Sequence, residues 1–260
     1  YTPYDCKVNP RDSSKPVHAG LSPLSRTISQ YSSRMHRADV LATHGFFAPQ
    51  QRLLVGSQSV RDAARALEAS SRVRRLDGDL LYHDDMVKLT VRTEAAVRHQ
   101  VLTSARAHVP AAYRLGLPQG TPDKNKAVVA SLLTAKNFTF HTLKYNVSGL
   151  EVHVTNRSGP YRQPVFQTVI QEQLFHQHDH MAIEELTRSK FNPMPIGVLA
   201  MVATAVECAL HDWSSGILDR KGNMFSTDEW SGVYKKHIKA LNTMKGLRPD
   251  MFMAWTRKIY

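Results

Sequence analysis

The chain has 260 residues, 42% of them apolar and 22% charged, a composition that excludes a disordered chain, a collagen and a coiled coil and leaves ample material for a buried core. Thirty-four Lys and Arg stand against 22 Asp and Glu, a formal charge of +12, so the surface should attract polyanions: nucleic acid, an anionic membrane or an acidic protein. Two cysteines, Cys6 and Cys208, cannot build a disulfide framework and are expected to be unpaired thiols, Cys208 as a small buried hydrophobe.

Residues 1–22 scatter Pro3, Pro10, Pro16 and Gly20 among serines and charges and read as an extended arm, with residues 23–260 as a single helical domain. Leu24, Ile28, Tyr31, Met35 and Ala38 recur at helical spacing after Pro23 and predict a helix that stops near Gly45. A second helix is predicted after Pro49, with Leu53, Leu54, Val60, Ala63, Ala64 and Leu67 on its apolar face and Arg61, Arg65, Arg72, Arg74 and Arg75 making its end basic. A third is predicted from Asp84-Asp85 to Pro110, with Val87, Val91, Leu102 and Val109 on one face. Beside that face runs a polar stripe of Lys88, Arg92, His99 and Arg106, while Arg98 falls within the apolar face and calls for an internal partner.

A polar break over 116–123 precedes a short helix with Val128 and Leu132. Residues 138–155 then alternate, which suits a small β-hairpin or a loop with extended segments. A Gly159-Pro160-Tyr161 turn feeds a helix from Val165 to about His176. The stretch from about 195 to 213 is apolar almost all round, so it should be the central helix of the bundle. Pro195, Gly197, Thr204 and Glu207 interrupt it too often for a membrane span, and no membrane partner is expected. Ser226-Thr227-Asp228-Glu229 resembles a capping sequence for the next helix, and Pro249 opens a last short one.

Three constellations could carry chemistry. His176, His178 and His180, with Asp179, are ligand types for zinc, but alternate residues cannot face one point on a regular helix, so no metal or other cofactor is expected. Glu207 and His211 are four apart on the apolar helix and could form an acid–base pair. The strongest signal is charge: between Lys88 and Lys144 nine Lys and Arg face only Glu94 and Asp123. Lys88, Arg92, His99, Arg106, Arg114, Lys124 and Lys126 are therefore the candidate nucleic-acid contacts. Phosphate-loop, dinucleotide and nucleophile-elbow motifs do not occur.

Asn192-Pro193-x-Pro195, Ala205-Val206-Glu207-Cys208-Ala209-Leu210 followed by Trp213-Ser214-Ser215-Gly216, and Tyr234-Lys235-Lys236-His237-Ile238 resemble a fungal family of domains of unknown function abundant in mushroom-forming fungi. Gly159-Pro160-Tyr161 with Pro164 is similar to that family's turn, although Gln163 stands where a His or Asn is more usual. The resemblance spans roughly residues 45–245 and implies a mainly helical single domain with no known enzymatic activity. The expectation is a mainly α, compact multi-helix bundle that binds nucleic acid, DNA more readily than RNA, without catalysis, in the nucleus or otherwise the cytoplasm. The alternatives are a protein-interaction or self-assembly module working through residues 1–22, and an enzyme of unfamiliar type.

Overall fold

The computed structural model describes residues 8–9, 12–116, 121–148, 151–176, 181–182, 184–185, 187–220 and 224–260. The axis is α8 (Ile196–His211), whose side chains are buried on nearly every face because almost every position is apolar. Each large apolar side chain taken out of water there contributes about 1.5–3 kcal/mol. Around it pack α1 (Pro23–Ala42), α5 (Thr93–Ala112), α7 (Pro164–Gln171) and α9 (Thr227–Leu247). The approach of α8 to α1 needs a glycine: a Cβ on Gly197 would lie 2.4 Å from the Ala42 carbonyl oxygen.

A second cluster of buried side chains joins the N-terminal half of α1 to α2 (Pro49–Ala66), α3 (Ser70–Gly78) and α4 (Leu80–Val91). Ile28, Val60, Leu76, Tyr82 and Met86 are its heart, and buried hydroxyls cross-link it: Ser25 with Tyr82 at 2.9 Å and Ser32 with Thr90 at 2.7 Å. Helix α1 therefore ties the two clusters together, placing Ile28 in one and Ala38, Val40 and Leu41 in the other. In the N-terminal stretch β1 (Val8–Asn9) pairs antiparallel with β2 (Asp12–Pro16), and Pro16 and Leu21 are buried.

Three sequence expectations need correction. Arg72, Arg74 and Arg75 do not end α2: the chain turns at Glu68 (φ 51°) and they lie on the separate α3. Leu53 and Leu54, expected in the core, are 51% and 72% exposed. The predicted helix from Asp84 to Pro110 is two helices. Helix α4 starts earlier, where the Tyr82 backbone N–H donates to the Asp79 carboxylate (3.0 Å), and it stops at Val91. Arg92 separates the two helices, β-branched Thr90, Val91 and Thr93 flank it with their lower helix propensity, and the Thr93 hydroxyl donates to the Thr90 carbonyl (2.7 Å). Pro110 lies inside α5, in its last turn.

The hairpin forms, as β3 (Thr142–Ser148) and β4 (Glu151–Ser158), antiparallel, with a register shift after Lys144. Helix α6 (Pro122–Leu133) packs against β4. The helix expected to His176 is regular only to Gln171 and continues as a π-turn. Ser226 caps α9 by accepting the Glu229 N–H (3.3 Å), and α10 (Pro249–Ile259) starts at its proline.

Candidate nucleic-acid interface

Both ends of the hairpin are held by one partly buried polar network. On the entering side, Ala135 and Lys136 adopt left-handed backbone (φ 48° and 55°), and on the leaving side Tyr161 does the same (φ 59°). Non-glycine residues hold that conformation only where their surroundings fix it. Here the fixing partner is His237 of α9, fully buried. Its Nε2 lies 2.8 Å from a Glu207 carboxylate oxygen, and the Tyr161 hydroxyl is 2.8 Å from its Nδ1. The Lys136 ammonium donates to the same Glu207 oxygen at 2.7 Å.

One proton arrangement satisfies all of these contacts. Burial is the main cause that holds the His237 pKa below the usual histidine value, so the ring is neutral. Nε2–H then donates to Glu207, and Nδ1 accepts the Tyr161 proton. Burial acts to raise the Glu207 pKa, but the His237 hydrogen bond and the Lys136 charge outweigh it and leave the carboxyl below its ordinary value. Burial pushes the Tyr161 phenol up, keeping it a donor. The expected Glu207–His211 pair does not form; His211 meets the Trp230 ring edge-on, with centroids 5.7 Å apart. On a helix enclosed all round, the neighbouring helix decides which group meets a polar side chain.

The clamped hairpin base walls a cavity of about 560 Å³ with the end of α5. Arg114, His141 and Lys144 are its exposed basic residues, Phe140 and Tyr113 its aromatic ones, and Asn137 and Gln163 its amides; none of the described lining residues is acidic. Each wall is fixed by backbone contacts. The Tyr113 hydroxyl donates to the Phe138 carbonyl (2.7 Å), the His141 N–H to the Gly159 carbonyl (2.9 Å), and His141 Nδ1–H to the Arg162 carbonyl (3.0 Å). Arg114 sits in left-handed backbone (φ 57°) just beyond the end of α5. Arg157 of β4 lies 5.1 Å from the Phe140 ring centre and donates to Asn137 (3.2 Å).

The sequence candidates are distributed unevenly around this cavity. Arg114 lines it, while Lys124 and Lys126 are exposed on α6, the helix packed against β4. Lys88 ion-pairs with Asp84 (2.6 Å), and Arg92 donates to the Pro16 carbonyl on β2 (2.6 Å). His99 is exposed on α5. Arg106 makes a bidentate pair with the buried Asp212 at 2.7 and 3.1 Å, which gives it a structural task. The single stripe expected from Lys88 to Arg106 is therefore divided between two helices. Arg98 has the internal partner its position called for: it is buried, 3.5 Å from Glu94 and 5.2 Å from the Phe46 ring centre.

Phe140, His141 and Arg157 were missing from the sequence candidates, and Lys144 entered only through the charge count. The available signal was the alternation of 138–144 with a cation at its end. The side chain of His176, together with His178 and His180, lies outside the described residues, as do residues 1–7 of the proposed docking arm. Among the described residues no three His, Cys, Asp or Glu gather to hold a metal, and no helix is long and apolar enough to cross a membrane. Burial pushes the Cys208 thiol up to about 12, which makes it an inert core group.

The model of a protein family described as a domain of unknown function (DUF6532) matches residues 32–244, so the chain belongs to that family. No curated protein and no solved structure matches the chain.

Proposed function

We propose that this DUF6532 protein is a non-enzymatic nucleic-acid-binding domain and that the cavity at the base of the hairpin grips a stretch of phosphate backbone. The observation that carries the reading is the lining itself: Arg114 and Lys144 face a concave site that has no carboxylate among its described lining residues. Arg157 beside Phe140 adds a cation next to an aromatic ring, the pairing on which nucleic-acid bases stack. Lys124 and Lys126, exposed on α6, extend the positive surface along the helix that supports the hairpin. The net charge of +12 supplies long-range attraction.

In this reading the buried His237 network is a positioning device. It holds both feet of the hairpin so that Lys144 and Arg114 keep a fixed spacing. Fluorescence anisotropy with labelled DNA and RNA, single- and double-stranded, tests the proposal directly. Reversal of charge in Arg114→Glu/Lys144→Glu should weaken binding by at least about tenfold at moderate salt. Unchanged binding by the folded variant, or no binding of any of the four nucleic acids at low salt, removes the reading.

A further inference from the structure

A second concave site lies on the other side of the Gly159–Arg162 turn. Helices α9 and α10 meet at Arg248, whose non-helical backbone (φ −145°, ψ 70°) separates them. Between them and the turn is a cavity of about 380 Å³. Phe252 is buried at its floor, Trp255 is half-buried, and Leu247 and Met251 stand 76% and 51% exposed at its mouth. Arg162, 5.4 Å from the Trp255 ring centre, and Arg248, 3.5 Å from the Met251 sulfur, are the charged residues of its described lining.

We infer that this groove docks an acidic amphipathic helix of another protein. An unbranched, polarisable methionine surface beside an aromatic floor accommodates apolar side chains of varied shape. Apolar anchors at helical spacing are what such a groove takes up. The charge complements an acidic partner: from Lys245 to Tyr260 four cations oppose the single Asp250. A second copy of this chain is disfavoured by its own +12. A bilayer is flat, whereas these anchors line a concavity. A small ligand would leave exposed the apolar surface that Leu247 and Met251 carry beyond the cavity.

Selection of random displayed peptides on the full chain, followed by anisotropy with the best peptide, tests the inference. The enriched sequences should be acidic, with apolar residues at i, i+3 or i+4, and i+7. Leu247→Glu/Met251→Glu should weaken the selected peptide at least about tenfold without lowering the melting temperature, since both positions are exposed. Lys124→Glu, which makes the same change in net charge on α6, should weaken it far less. Failure to enrich any peptide overturns the proposal, and so does equal sensitivity to the remote substitution, which would mark general charge attraction. Binding of phosphatidylserine vesicles that is lost in the Leu247/Met251 variant, with no peptide bound, overturns it in favour of a membrane contact.

Discussion

Replacing His237 by Phe should cost this protein a large part of its stability, and the network predicts how much. The ring volume is nearly kept, so little cavity forms. What is lost is a hydrogen bond to a carboxylate, worth about 1.5–3 kcal/mol, and the Tyr161 hydroxyl is left in the core without its acceptor, at a further cost of about 1–3 kcal/mol. The sum is about 2.5–6 kcal/mol, against a typical total of about 5–15. Equilibrium urea unfolding followed by circular dichroism reads it as a fall in the midpoint at constant slope. The decisive variant is the double substitution with Tyr161→Phe. It removes the stranded hydroxyl as well, so it should be less damaging than the sum of the single changes by about 1–3 kcal/mol. A His237→Phe protein within about 0.5 kcal/mol of the parent, or strictly additive substitutions, would refute the claim that this network clamps the hairpin.

The same network predicts a pH dependence. Burial holds the His237 pKa below its ordinary value in the folded protein, whereas in the unfolded chain the ring takes up a proton near about 6.5. The unfolded state then binds more protons, so stability falls as pH drops through about 6.5, by up to about 1.4 kcal/mol per pH unit for this one group. Urea midpoints across that range should show the fall, and His237→Phe should flatten it. For Arg106, Arg106→Leu removes the guanidinium from the buried Asp212 carboxylate and should cost about 3 kcal/mol in thermal or urea unfolding. The same variant, once folded, should keep the salt dependence of nucleic-acid binding, because Arg106 is committed to the core.

The elements set by local chemistry were readable from residues alone. Pro23, Pro49 and Pro249 each open a helix, Ser226 caps one, and the all-round apolar run around Leu199 lies at the centre. What escaped either carries no punctuating residue or depends on contacts distant in sequence. The break after Val91 sits within a pattern whose apolar period continues through it, and Glu68 turns the chain without a glycine or proline to announce it. Glu207 was visible as a buried carboxylate, but its partners, His237 and Lys136, are 30 and 71 residues away. The charge excess between Lys88 and Lys144 was legible as a sum. Its division among the Asp212 pair, the Pro16 contact and the hairpin cavity was not, because that depends on which helix faces which.

The slope of nucleic-acid affinity against salt concentration tests the central proposal most directly. Each phosphate contact on a single strand contributes about 0.7 to the slope of log affinity against log salt, so Arg114→Gln/Lys144→Gln should make it shallower by about 1.4 and lower the affinity. A variant that keeps the full slope and affinity of the parent would contradict the assignment, because the phosphates would then be held somewhere other than at the hairpin.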